Sequence, residues 1–191
     1  MKQIEQLIAE QLNKEQEKRE ITSWQISKLG SCLRGIYFER LGIEPDVLFD
    51  DRTLRVFSVG KQMENWLVNL ISEPYLLPLP EGEKHPYTIE TQVRVKDELL
   101  GVSGYADLAI TNNETGQKEI YEIKSKHSKS FWYMVKKGEG AMEQHKMQLW
   151  SYLYLLDIPI GKIVYLSKDD LAIAEFEVRR DDKCIEGLVM N

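Results

Sequence analysis

Midway along the chain the hydrophobic period changes from about 3.6 residues to about two, which restricts the fold to a helical part followed by a sheet. Ile4, Leu7, Ile8 and Leu12 recur at helical spacing, so an amphipathic helix opens the chain. Thr22-x-x-Gln25 has the form of a capping box. It predicts a second helix carrying Trp24, Leu29, Leu33, Ile36, Tyr37 and Leu41 and stopping at Gly42. A third helix is expected from about Arg52 to Ile71, burying Phe57, Met63, Leu67 and Leu70. A loop containing Pro74, Pro78, Pro80 and Pro86 closes this helical part, residues 1–73.

From Ile89 the alternation of Ile89, Thr91, Val93 and Val95 reads as a half-buried strand. A turn at Lys96-Asp97 leads into a second strand, about Glu98 to Ile110. Asn112 to Gly116 is turn chemistry, and a third strand follows from about Lys118 to Lys124. Short turns make these three strands an antiparallel meander. A helix from about Glu139 to Leu156, strands Lys162 to Ser167 and Leu171 to Val178, and a last helix beginning near Asp182 complete the chain. The expected fold is an α/β or α+β sandwich around a mixed central sheet. At 191 residues it is one domain, with the sheet in residues 86–191.

Composition excludes several classes. Apolar residues make up 42% and charged residues 29%, ordinary for a folded domain and unlike a disordered chain. No apolar run reaches the ~20 residues of a membrane helix. Met1 to Glu20 lack the pattern of a secretory signal, so a cytoplasmic protein is expected. Two cysteines give no disulfide framework. The net charge of −6 is not that of a strongly basic nucleic-acid binder. Tyr121 to Gln148, however, holds six lysines against three glutamates. That stretch is either a solvated charged face or a local footprint for a polyanion.

Glu122 and Lys124 lie two apart on a predicted strand and so share a face, while Ile123 points to the other. Paired residues of a hairpin are centred on its turn. Asp107 and Glu122 are centred between Glu114 and Thr115, inside the predicted turn, so they should lie across from each other. Two opposed carboxylates need positive charge between them. Lys124 is one source; a divalent cation, Mg²⁺ or Mn²⁺, is the better one, because oxygen donors suit such ions. Gly104 sits where a backbone or ligand can approach closely. Gln148 and Tyr152, four apart, share a helix face. Gly60 and Glu64 do the same on the third helix, where Glu64 can bring a third carboxylate. Other chemistries fit poorly: Gly101 to Gly104 is not a nucleophile elbow, no phosphate-binding glycine loop is present, and the histidines have no zinc spacing.

Gly104-x-x-Asp107, Glu122-Ile123-Lys124 and Gln148-x-x-x-Tyr152, in this order, resemble the PD-(D/E)XK nuclease superfamily, in particular its RecB-like branch of CRISPR-associated and phage recombination exonucleases. Ser27-x-x-x-x-Cys32-x-Arg34 with Tyr37-Phe38-Glu39-Arg40 is similar to the N-terminal helix of that branch. The resemblance runs from about Ser27 to Leu166 and implies a restriction-endonuclease-like core. It implies a metal-dependent DNA nuclease, an exonuclease before a structure-specific endonuclease or a non-catalytic DNA-binding subunit, with a helicase or recombinase as a possible partner. Asp107 and Glu122 would bind Mg²⁺ or Mn²⁺ together with the Ile123 carbonyl, and Lys124 would act on the attacking water. Gln148 and Tyr152 would hold the nucleic acid or shape the site. Arg34, Ser27 and Lys126 would meet the strand, and Phe131, Trp132 and Tyr133 either stack bases or pack in the core.

The sequence departs from the branch in two places. Gly60-x-x-x-Glu64 stands where the branch often has G-x-x-x-H. The iron–sulfur members use four cysteines, whereas this chain has only Cys32 and Cys184, so no cluster is expected and Cys32 should pack against the helical part.

Overall fold

The computed structural model describes residues 3–15 and 22–183. The chain forms α1 (Ile4–Glu15), β1 (Trp24–Gln25), a 3-10 turn (Ile26–Lys28), α2 (Leu33–Arg40) and α3 (Asp51–Leu76). There follow β2 (Tyr87–Asp97), β3 (Val102–Asn112), β4 (Lys118–Lys126), α4 (Ser128–Lys137), α5 (Glu143–Leu155), β5 (Ile160–Ser167) and β6 (Ile173–Arg179). The expected mixed sheet flanked by helices is the architecture found. β2, β3 and β4 form the antiparallel meander, β5 runs parallel to β4 after the α4–α5 crossover, and β6 returns antiparallel to β5.

Helices cover both faces of the sheet. On one side Phe131 and Met134 of α4 and Leu149, Tyr152 and Leu153 of α5 close the larger core over Ile120, Ile163 and Tyr165. On the other, Leu67 and Val68 of α3 pack on Leu108, Ile123 and Val164. The α3 N-terminus is capped by Asp50, whose carboxylate accepts from the Thr53 N–H at 2.7 Å.

Several expectations need correction. The single helix expected over Trp24 to Leu41 is divided. Trp24 N–H donates to the Gly101 carbonyl at 2.8 Å and joins the sheet as β1, and Gly30 at φ +87° turns the chain before α2 begins. The first 73 residues are therefore not wholly helical. The α3 helix continues through Pro74 to Leu76, and it buries Leu54, Gly60, Leu67, Val68 and Ser72, while Phe57 and Leu70 are exposed. The 139–156 helix starts at Glu143 instead, because Gly138 and Gly140 hold positive φ, and α4 precedes it. The second strand begins at Val102, after a turn over residues 98–101. Cys32 is the residue before α2 and its free thiol is exposed instead of buried in the helical part. Cys184 and the last helix beyond Lys183 fall outside the described residues.

Candidate active site

One edge of β3 pairs with β2 from Val102 to Asn112, interrupted only at Asp107. The other edge is shared: β1 bridges it at Val102 and Ser103, and β4 bridges it from Leu108 to Thr111. Between these partners, residues 104–107 have no strand on that side among the described residues. The chain needs other donors there, because buried main-chain groups left unpaired are costly. The Tyr152 hydroxyl donates to the Tyr105 carbonyl at 2.9 Å. Asp107 completes the gap from its own side, accepting from the Ile123 N–H at 2.8 Å through Oδ2. Gly104 permits this crowding, since a Cβ there would lie 2.9 Å from the Tyr152 hydroxyl.

The β3–β4 register is centred as the sequence implied: Leu108 pairs with Tyr121. The ladder ends there, so Asp107 and Glu122 lie where the two strands part. Glu122 is 2% exposed. Its Oε1 accepts from Lys124 Nζ and from Gln148 Nε2, each at 2.5 Å. Its Oε2 is buried with no hydrogen-bond partner among the described residues. Gln148 and Tyr152, 4% and 1% exposed, support these groups from behind.

A cavity of about 620 Å³ opens on this gap. Its lining includes Gln92, Tyr105, Asp107, Glu122 and Lys124 from the sheet, Gln148 from α5, and Phe57, Gly60, Lys61 and Glu64 from α3. Glu64 reaches the cavity, but its Oε1 accepts from both the N–H and the hydroxyl of Ser125, each at 2.9 Å. Among the described residues no group of three or more His, Cys, Asp or Glu side chains gathers around one point. Gly60 is buried against β4, where a Cβ would stand 2.9 Å from Ser125 Oγ.

Burial dominates the electrostatics. It raises the Asp107 carboxyl above its ordinary range, against the opposing effect of Lys124. It pushes Glu122 up to about 8, again partly offset by Lys124. Burial works against the Lys124 charge, yet Glu122, Asp107 and Glu64 outweigh it and raise its pKa. A buried carboxylate with an unpartnered oxygen beside a second raised carboxyl is a site short of positive charge. The donors are hard oxygens, which fit Mg²⁺ or Mn²⁺ better than soft metals.

The remaining sequence candidates are scattered. Ser27 lines the cavity. Arg34 lies outside it, stacked on Phe38 at 5.2 Å. Lys126 points away into a second cavity beside α4, with its Nζ 2.8 Å from Met142 Sδ. Phe131 is core, and Trp132 Nε1 donates to Asp170 at 2.7 Å. Sequence reasoning missed Gln92, Lys61 and Lys168, which all line the cavity. Of these, Gln92 was within reach: it and Asp107 are centred on the turn between β2 and β3, as Asp107 and Glu122 are on the next.

The motifs that resemble those of the PD-(D/E)XK nuclease superfamily thus lie together: a splayed pair of strands carries Asp107 and Glu122-x-Lys124, backed by Gln148 and Tyr152. In sequence it is similar to the CRISPR-associated exonuclease Cas4 of Saccharolobus solfataricus, 32% identical over 87 residues. That match spans 46% of this chain and 38% of the relative, less than half of either. In structure it is similar to SSO0001, with a TM-score of 0.61 and 20% identity, covering 99% of this chain and 86% of that one. It is also similar to an alkaline exonuclease from Laribacter hongkongensis, with a TM-score of 0.61 and 12% identity, covering 90% and 84%. At these identities the structural likeness is one of fold. No protein-family model matches the chain.

Proposed function

We propose that this chain is a metal-dependent DNA nuclease that degrades strands from their ends. The observation that carries this reading is the unpartnered, buried Oε2 of Glu122, set beside Asp107 and Lys124 in an open cavity. Asp107, Glu122 and the Ile123 carbonyl would hold the metal, Mg²⁺ or Mn²⁺, with Glu64 as a further ligand once released by Ser125. A bound divalent ion supplies charge neutralisation at a phosphodiester and a more acidic water. The chain's own groups do the rest. Gln148 fixes the rotamer of Glu122, and the Ile123 N–H fixes Asp107. An ammonium has three donors; Lys124 gives one to Glu122, which leaves two for an attacking water and a phosphoryl oxygen. Lys61 and Lys168 bring positive charge to the cavity wall, where strand phosphates would pass.

Exonuclease action is favoured over endonuclease action because the similar proteins with a stated activity are exonucleases. A helicase or recombinase that delivers DNA ends is the expected partner class, and the cytoplasm the expected location. Among the described residues no helix is long and apolar enough to cross a membrane.

The test is incubation of end-labelled linear DNA and circular single strands with Mg²⁺, Mn²⁺ or chelator. Metal-dependent shortening of linear DNA, with circles intact, is expected. Asp107→Ala, Glu122→Ala and Lys124→Ala should each reduce it by orders of magnitude while the protein stays folded. Cut circles would favour an endonuclease. Wild-type rates in purified Lys124→Ala would remove the catalytic assignment.

A further inference from the structure

Gln92 lies directly opposite Asp107 across the β2–β3 ladder. The pairs on either side, Thr91 with Leu108 and Val93 with Ala106, are bridged, whereas Gln92 and Asp107 are not. Gln92 has φ +50° in the middle of an eleven-residue strand. A left-handed glutamine is rare even in turns, and no turn requires it here.

The side chains on both strands record the same irregularity. On β2, Ile89 packs under α3 with Leu67 and Val68, but Val93 and Val95 pack in the opposite core with α5. On β3, Leu108 belongs to the α3 side and Ala106 to the α5 side. Residues two apart on a regular strand share a face. Both strands therefore change face at this one pair. The consequence for Asp107 is that its carboxylate is directed along the sheet, where it accepts from the Ile123 N–H of β4. Gln92 lines the same cavity as Asp107, and its side-chain amide acts on the Asp107 carboxyl in the direction that favours the charged form.

We infer that Gln92 is a positioning residue, whose side-chain amide holds the Asp107 carboxylate in its metal-binding orientation and whose left-handed backbone is strain retained for that purpose. The inference rests on the reading of Asp107 as a metal ligand. Backbone strain persists where the surrounding structure over-determines it, and such places cluster at functional sites. Groups that orient a metal ligand influence affinity about tenfold or more.

The experiment is Mn²⁺ titration of the protein without DNA, by calorimetry, together with thermal unfolding in chelator. Gln92→Gly adopts φ +50° freely but lacks the amide. It is expected to unfold at or above the wild-type midpoint and to bind Mn²⁺ about tenfold more weakly. Gln92→Ala should show the same loss of affinity with a lower midpoint than Gln92→Gly, because a Cβ restores the strain. Should Gln92→Gly fail to fold, Gln92→Asn carries the test: asparagine also accepts left-handed backbone, and its shorter amide should weaken Mn²⁺ binding. Wild-type Mn²⁺ affinity in these variants overturns the inference alone. A wild-type protein that binds no Mn²⁺ overturns the metal reading, and the inference with it.

Discussion

The Tyr152 hydroxyl donates to the main-chain carbonyl of Tyr105, 2.9 Å away, at the point where β3 has no neighbouring strand on that side among the described residues. A helix side chain thus substitutes for a ladder bond and holds open the gap in which Asp107 sits. Tyr152→Phe leaves the Tyr105 carbonyl without this donor and should cost about 1–2 kcal/mol. Gly104→Ala directs a methyl group to 2.9 Å from the same hydroxyl and 3.0 Å from Ile26 Cβ, so it should cost about 1–3 kcal/mol. The two changes are coupled. Once the hydroxyl is gone, the added methyl has more room, and Gly104→Ala should cost less in Tyr152→Phe than in the wild type. Urea unfolding of the four proteins measures this, and strict additivity would contradict the close contact.

A different glycine makes the control. Gly161 on β5 faces α5, and a Cβ there would stand 2.7 Å from the Ile120 carbonyl oxygen and 3.0 Å from Leu149 Cδ1. Backbone cannot yield as a side-chain tip can. Gly161→Ala should therefore destabilise by about 3 kcal/mol, at the upper end of the range for overpacking. It lies outside the cavity lining, so cleavage per folded molecule should stay at the wild-type level. Unfolding curves and the rate on end-labelled DNA, measured well below the melting temperature, check both halves.

Period and register made the acidic site legible in the sequence. Period two put Glu122 and Lys124 on one face, and centring on a turn put Asp107 across from Glu122; the Leu108–Tyr121 pair has that same centre. The strands separate at the next pair, which pattern alone does not show, because separation depends on what fills the gap. β1 was missed for a related reason. Two residues in a parallel bridge have no period, and Thr22 and Gln25 mimic a helix cap. The α4 helix had a signal that was read differently: Phe131, Met134 and Val135 recur at helical spacing before Gly138, whose αL conformation ends the helix. The left-handed backbone of Gln92 has no counterpart in residue type, since glutamine has no preference for that region.

His145 provides a pH dependence separate from the carboxylates. Its Nδ1 is hydrogen-bonded at 2.7 Å to the Tyr165 hydroxyl, and that hydroxyl accepts from the Met142 N–H at 3.1 Å. Burial, reinforced by Lys124 and Lys126, lowers the imidazole from 6.5 to about 4. A histidine with a folded pKa below its unfolded value binds fewer protons when folded. Stability from this group is thus fully present above pH 6.5 and falls as the pH drops toward 4. His145→Gln should flatten that part of the stability profile. Unfolding midpoints measured from pH 7.5 down to about 4.5 in both proteins test it. Parallel curves would mean that His145 titrates normally.

Glu64 ties α3 to β4 through the two bonds from Ser125 to its Oε1, so structure and chemistry compete for the same carboxylate. Glutamine can accept both bonds through its amide oxygen but has no charge. Glu64→Gln should therefore unfold near the wild-type midpoint and bind divalent cations more weakly. Glu64→Ala should lose both stability and affinity, because it also leaves the Ser125 N–H without its acceptor. Glu64→His, with an imidazole in place of an oxygen donor, should recover activity better with Mn²⁺ than with Mg²⁺. Thermal melts in chelator separate the structural effect, and metal titrations measure the other. Wild-type metal affinity in Glu64→Gln would confine Glu64 to joining the helix to the sheet.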